Sequence, residues 1–300
     1  MASAVSDPPA NSTRIARRFA ELRANGELGL VAYITAGDPN LAATLKFVMA
    51  LAEAGADVIE LGVPFSDPVA DGPTIQRASE RALKNHVTLT QVIELVREIR
   101  KSPPPANEIP LVLFSYYNPI LQMGLDKFAA AASQAGADGV LATDLTPEES
   151  ENHRRAMHAH HLDTIFLGAP TSTDERLARI AEASSGFLYL ISRTGVTGAR
   201  ESLPEDLPAL IRRARAATEL PIAVGFGISL PGHVSILGGL ADAAAVGSAL
   251  VSEVEKATAN DASPASIERA SHALAERVRS LKQAARQGLS RRAASNEVAP

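Results

Sequence analysis

Short runs of apolar, β-favouring residues recur along the whole chain and alternate with segments that have helical spacing. The runs are continuously apolar, which is typical of strands in a parallel sheet that is covered by helices. In the clearest helical segment one apolar stripe precedes the break at Ser102-Pro103. The stripe consists of Leu89, Val92, Ile93, Val96 and Ile99. The pattern predicts eight strands, at 29–35, 57–63, 110–116, 138–143, 163–168, 187–192, 221–225 and 241–247.

Eight strand-helix units favour closure into a single barrel. A doubly wound open sheet is the alternative, but the first strand is not followed by Gly-x-Gly-x-x-Gly. A weak repeat occurs three times (EAGADVIELG, QAGADGVLAT, GGLADAAAVG). In each copy, glycine lies near the end of a predicted helix and aspartate lies at the start of the next predicted strand. We therefore predict an α/β protein with a (β/α)8 TIM barrel at 13–287, including extra N-terminal and C-terminal helices. Residues 1–12 are expected to be a flexible extension and 288–300 a disordered tail.

The amino-acid composition limits the kinds of partner that the chain is expected to bind. The 300 residues are 46% hydrophobic and 21% charged, with a net charge of −5 and no cysteine. An acidic balance argues against nucleic acid and anionic membrane as partners, and the lack of cysteine excludes disulfides and thiol nucleophiles. No apolar run approaches the roughly 18 residues of a membrane span, and the opening segment lacks the apolar core of a signal peptide. The expected location is the cytoplasm.

Two carboxylates stand out in the second unit. In a barrel of this kind the active site lies at the C-terminal ends of the strands. Glu60 is flanked by Ile59 and Leu61 in an apolar strand, and Asp71 lies in the loop that follows, which contains proline and glycine. Glu60 faces either the barrel interior or the surrounding helices, and burial is costly in both places. A catalytic pair is favoured over a structural ion pair.

Three glycine-bearing segments follow late strands and predict a phosphate site. They are Gly195–Gly198, Gly225–Ser229 and Gly247–Ala249. Glycine lets backbone N–H groups approach an anion closely, and a serine at a helix start adds a hydroxyl. Barrels of this type often bind phosphate after strands seven and eight.

Two other chemistries fit the residues poorly. A Schiff-base aldolase needs a lysine at a strand end, whereas the six lysines lie in predicted helices or loops. Four histidines (His153, His158, His160 and His161) lack the spacing of a helical zinc motif, so we expect a solvated helix face and no metal site.

The motifs ELGVPFSDPVADGPT at 60–74, SRTGVTG at 192–198 and GFGIS at 225–229 together carry a family resemblance. The chain resembles the alpha subunit of tryptophan synthase from about residue 33 to residue 248. The resemblance implies cofactor-free cleavage of indole-3-glycerol phosphate to indole and glyceraldehyde 3-phosphate, a retro-aldol lyase reaction. It implies that Glu60 is the acid–base and that Asp71 binds the ring N–H.

The same resemblance assigns the other site residues. It implies that a loop at 192–200 closes as a lid, with Thr197 touching Asp71. It implies phosphate contacts at Gly198, Gly227, Gly247 and Ser248, and substrate contacts at Tyr33, Phe114 and Tyr189.

The family normally pairs with a beta subunit that holds pyridoxal phosphate, in an α2β2 tetramer. Two related functions remain open: a free-standing indole-3-glycerol-phosphate lyase, and a catalytically silent activator of a beta subunit. Retention of both carboxylates argues against the silent activator. Another phosphate-sugar barrel enzyme is the third alternative, and the ordered motifs argue against it.

Overall fold

A computed structural model describes residues 13–192 and 203–296, with side chains of the last helix described as far as residue 286. In these ranges the strands are β1 Gly29–Thr35, β2 Val58–Gly62, β3 Leu111–Ser115, β4 Gly139–Ala142, β5 Asp163–Ile165, β6 Leu167–Gly168, β7 Leu188–Ile191, β8 Ile222–Gly225 and β9 Ala243–Val246. The α-helices are α1 Arg14–Ala24, α2 Leu41–Glu53, α3 Pro73–Lys84, α4 Leu89–Arg100, α5 Tyr117–Met123, α6 Leu125–Ala135, α7 Glu151–Ala159, α8 Asp174–Ala183, α9 Leu207–Ala217, α10 Pro231–Leu237, α11 Ser248–Thr258 and α12 Pro264–Asn296.

The strands form a parallel barrel, as predicted. Their order is β5-β4-β3-β2-β1-β9-β8-β7-β6, and β1 pairs with both β2 and β9. Strands β5 and β6 are two parts of the predicted fifth strand, separated by Phe166, whose carbonyl accepts a hydrogen bond from the Tyr189 N–H at 3.3 Å. Each predicted strand therefore has its counterpart, and the fifth is interrupted.

The direction of each strand residue follows the pleat. Ile59 and Leu61 of β2 belong to the outer core between sheet and helices, whereas Val58 belongs to the core inside the barrel. Because side chains alternate between the two faces of a strand, Glu60 points inward with Val58. The sequence alone allowed Glu60 to face either side of the strand. The positions of its neighbours show that it faces the barrel interior.

Helix α1 covers the N-terminal end of the barrel. Thr13 caps it, since the Thr13 hydroxyl accepts the Ala16 N–H at 3.2 Å. The apolar stripe Ile15, Phe19 and Leu22 is buried in the inner core. This confirms the predicted extra N-terminal helix.

The aspartates of the weak repeat perform the same task in each copy. The carboxylate of Asp57 accepts the N–H of Leu30 at 2.6 Å, and that of Asp138 accepts the N–H of Leu111 at 2.8 Å. Asp242 accepts the N–H at the start of β8 at 2.7 Å. Each also pairs with arginine, and Asp57 further pairs with Lys282 at 2.7 Å. In each copy of the repeat, the aspartate thus binds a backbone N–H near the start of the neighbouring strand.

The last helix continues to Asn296, past the boundary at 287 that the sequence predicts. Its buried stripe consists of Ile267, Ala270, Leu274, Val278 and Leu281. Residues 1–12 and 297–300 lie outside the described residues, so the domain division stays a prediction. Across the described ranges, no helix combines the length and apolarity that crossing a bilayer requires.

Candidate active site

A cavity of about 250 Å³ lies at the C-terminal ends of the strands. Its wall includes every site residue predicted within the described part of the chain: Tyr33, Glu60, Asp71, Phe114, Tyr189, Gly227, Gly247 and Ser248. Thr197 and Gly198, with most of the predicted lid at 192–200, lie outside the described residues. The fold brings together residues from six different strands and the loops that follow them. Their individual roles remain predictions.

Glu60 lies inside the barrel at the inner end of the cavity. It is 1% exposed, and its register partners are Tyr33 on β1 and Val112 on β3. Its Oε1 atom is buried and has no hydrogen-bond partner among the described residues. Burial raises the pKa of Glu60 from 4.5 to about 8. The side chain is therefore largely protonated at neutral pH, which suits a general acid.

Asp71 lies in the loop between β2 and α3 and is 6% exposed. Its N–H donates to the carbonyl of Pro68 at 3.0 Å, and its own carbonyl accepts the side-chain amide of Gln76 at 2.9 Å. Burial raises the pKa of Asp71 to about 6, and a hydrogen bond from Tyr116 opposes that rise. Asp71 is therefore mainly ionised at pH 7, beside a Glu60 that is mainly protonated. The two acids differ in charge because their surroundings differ.

Tyr116 is a site residue that the sequence interpretation missed. Its hydroxyl donates to Oδ2 of Asp71 at 3.2 Å and accepts the N–H of Ala70 at 2.9 Å. Its ring stacks on Phe65 with a centroid distance of 4.9 Å. Tyr116 thus holds both the carboxylate and its loop. Its position as the last residue of the predicted third strand was the available signal, because polar groups at strand ends form the active sites of barrels.

Aromatic rings form the walls between the acids and the outer part of the cavity. Tyr33 and Phe114 meet edge to face at 5.1 Å, and Tyr189 meets Phe226 at 6.1 Å. Tyr33 lies so close to the backbone of Gly62 that a Cβ there would come within 2.1 Å of its hydroxyl oxygen. Glycine at the end of β2, and likewise at the end of β8, makes room for a tyrosine. The resulting apolar slot, which is lined by aromatic rings, suits a planar aromatic ligand.

The described residues of the predicted phosphate cradle, Gly227, Gly247 and Ser248, line the opposite part of the cavity. Ser248 is the first residue of α11 and directly follows Gly247. The first N–H groups of a helix have no partner within the helix and are suited to binding an anion. In the β8–α10 loop, Phe226 and Gly227 have φ values of 61° and 90°. The Ser229 N–H donates to Nδ1 of a buried histidine on α10 at 3.3 Å, which fixes this loop.

The expectation of a solvated histidine face is wrong for His153. This residue is buried on the inner side of α7, and its ring meets Tyr117 edge on at 5.6 Å. Burial lowers the pKa of His153 to about 4, so the ring is neutral at pH 7. His153 falls on the buried stripe of α7 with Ala156 and Met157, at helical spacing. Among the described residues, no group of three or more histidines or acids could hold a metal ion.

This fold and site define a class: an enzyme of the parallel (β/α)8 barrel type, with two buried carboxylates at one end of its cavity and helix-end amides at the other. The family model described as "Tryptophan synthase alpha chain" matches residues 19–286. The chain belongs to this family.

Individual relatives agree with the family match. The tryptophan synthase alpha chain of Solibacter usitatus is 54% identical over 244 residues, covering 81% of this chain and 90% of the relative. That of Dechloromonas aromatica is 51% identical over 254 residues, covering 83% and 92%. The crystal structure of tryptophan synthase subunit alpha from Legionella pneumophila superposes with a TM-score of 0.82 at 39% identity, covering 92% of this chain and 99% of that one.

Proposed function

We propose that this chain is the alpha subunit of a tryptophan synthase and that it cleaves indole-3-glycerol phosphate to indole and glyceraldehyde 3-phosphate. Family membership makes the chain a lyase of tryptophan biosynthesis. The observation that carries the residue assignment is the unequal acid pair at one end of an aromatic slot. Burial gives Glu60 a pKa of about 8 and Asp71 one of about 6.

Glu60 is the acid and then the base of the reaction. The protonated carboxyl donates its proton to C3 of the indole, which leaves a positive charge at the ring nitrogen. The resulting carboxylate takes the proton of the hydroxyl on the carbon attached to C3. As that hydroxyl becomes an aldehyde, the C3–carbon bond breaks and its electrons return to the ring. The proton on Glu60 is restored, so the step needs no other reactant.

Asp71 stabilises the charge that develops at the ring nitrogen. As a carboxylate it accepts a hydrogen bond from the ring N–H, and this bond strengthens when the ring becomes cationic. Tyr116 holds the carboxylate oxygen at 3.2 Å in the substrate-free arrangement. We propose that Thr197 joins Asp71 when the loop at 192–200 closes.

Binding of the substrate's phosphate group positions the indole ring. We propose that Gly198, Gly227, Gly247 and Ser248 bind it through backbone N–H groups and the serine hydroxyl. Tyr33, Phe114 and Tyr189 then enclose the substrate. Proton transfer by one side chain contributes roughly 10²–10⁴ of rate, so placement must contribute much of the rest.

The proposal includes a partner. By the family name, the chain works with a beta subunit, and we propose an α2β2 tetramer in the cytoplasm in which pyridoxal phosphate belongs to the beta subunit. No cofactor is assigned to this chain. A free-standing lyase has the same residues, and comparison of turnover with and without added beta subunit separates the two.

Indole release from indole-3-glycerol phosphate tests the function. Wild type is expected to release indole, whereas Glu60→Gln and Asp71→Asn are each expected to lose at least about 10²-fold in kcat. Glu108→Gln, on the N-terminal side of the barrel, is the matched control and should retain activity. A wild-type protein that releases no indole even with a beta subunit present would overturn the function. Full activity in Glu60→Gln would overturn only the mechanism.

A further inference from the structure

The cavity carries opposite charges at its two ends. Glu60 and Asp71 line the inner end, and the wall of the same cavity extends outward to Lys256 on α11 and Arg277 on α12. The proposed cradle between them consists of backbone N–H groups and a hydroxyl. Neither cation has a part in the function proposed above.

The position of Lys256 follows from helix geometry. Ser248, Ser252 and Lys256 are four residues apart on α11 and line the cavity in a row. At 1.5 Å per residue, Lys256 lies about 12 Å along the helix from the serine at the cradle. Its side chain is 69% exposed, so the row leads from the cradle to solvent.

Glu253 holds the two cations together. Its Oε1 atom lies 3.4 Å from Nη2 of Arg277 and 3.8 Å from Nζ of Lys256. One carboxylate faces two cations, so Glu253, Lys256 and Arg277 together carry a net positive charge. The Nε of Arg277 is buried and lacks a hydrogen-bond partner among the described residues. The guanidinium group of Arg277 therefore has a hydrogen-bond donor that no described residue of the protein accepts.

We propose that Lys256 and Arg277 form a second anion-binding subsite at the outer end of the pocket, which attracts the phosphate dianion of the substrate toward the cradle. This inference rests on the proposed function. The ionised carboxylate of Asp71 at the inner end repels a phosphate, and the cations at the outer end attract it. The charge distribution therefore admits the substrate with its ring first and selects phosphorylated over unphosphorylated compounds.

Lys256→Gln tests the subsite, with Lys101→Gln as a matched control. Lys101 is also an exposed lysine, directly after the last residue of α4, and pairs with a glutamate three residues earlier at 2.7 Å, but it is not part of the cavity wall. A dianion and one cation about 10 Å apart in water attract each other enough to change binding about fourfold. We expect KM of Lys256→Gln to rise about fourfold at low ionic strength with kcat unchanged, and this difference to vanish at about 0.5 M salt.

Rescue and direct binding complete the test. Lys256→Arg should restore the wild-type KM, because it restores the charge. Calorimetric titration with inorganic phosphate should show the same fourfold loss for Lys256→Gln, whether or not the wild type turns over. Equal KM and equal phosphate affinity for Lys256→Gln and Lys101→Gln at low salt would overturn the subsite. Absence of indole release by the wild type would overturn the proposed function instead.

Discussion

The hydrogen bond from Tyr116 to Asp71 makes a quantitative prediction about the acidic side of the pH profile. Tyr116→Phe removes the donor that lies 3.2 Å from Oδ2 of Asp71 and opposes the effect of burial on the pKa of that carboxyl. A hydrogen bond to a charged group contributes about 1.5–3 kcal/mol, and the long distance favours the lower value. Since one pH unit corresponds to about 1.4 kcal/mol, the pKa of Asp71 should rise by about one unit above 6.

The expected result is a loss of activity that depends on pH. At pH 6 the ionised fraction of Asp71 should fall from about one half to about one tenth, which lowers kcat/KM about fivefold. At pH 8 the carboxyl is ionised in both proteins and the difference should nearly disappear. The assay is the initial rate of indole release between pH 5 and 9.

Tyr117→Phe is the control, because that neighbouring ring contacts His153 and not Asp71. Its profile should coincide with that of the wild type. If Tyr116→Phe lost the same factor at every pH, or lost nothing at pH 6, the reasoning about Asp71 would be refuted.

Three further predictions concern stability. Because burial raises the pKa of Glu60 from 4.5 to about 8, the stability that its protonated form contributes is fully present below pH 4.5, declines as the pH rises above that value, and is lost once the pH passes 8. At pH 7, Glu60→Gln should therefore be more stable than wild type by about 3 kcal/mol in urea unfolding, and an equal stability would contradict the burial argument. Gly62→Ala should lower stability by about 1–3 kcal/mol and raise KM, because the new Cβ would push Tyr33 away; an unchanged KM would count against the aromatic slot. Asp57→Asn should cost about 3–5 kcal/mol in thermal unfolding, because it leaves the buried Lys282 unpaired, and a loss below about 1 kcal/mol would show that the pair matters little.

Strand and helix positions were predictable because they depend on local periodicity. The inward or outward direction of Glu60 was not, since the flanking residues are apolar on both sides and only pairing in the barrel decides which face is inside. Tyr116 was missed because its partner, Asp71, is 45 residues away in the sequence. His153 was assigned to solvent as one of a histidine group, although its spacing from Ala156 and Met157 already matched a buried stripe.

The lysines show a related limit. Lys256 was set aside because it does not lie at a strand end, and that criterion is right for Schiff-base chemistry. It says nothing about the row of residues four apart that leads from Ser248 along the cavity. The spacing was visible in the sequence, but its meaning depended on the direction in which α11 leaves the barrel.

The protonation state of Glu60 decides whether this residue can act as the acid of the reaction. Infrared difference spectra of the substrate-free protein against Glu60→Gln, recorded over a pH series, isolate the carbonyl band of this one protonated carboxyl. We expect the band to persist at pH 7 and to disappear with a midpoint near pH 8. A carboxyl that is already fully ionised at pH 6 could not act as the acid at neutral pH, and this result would contradict the mechanism.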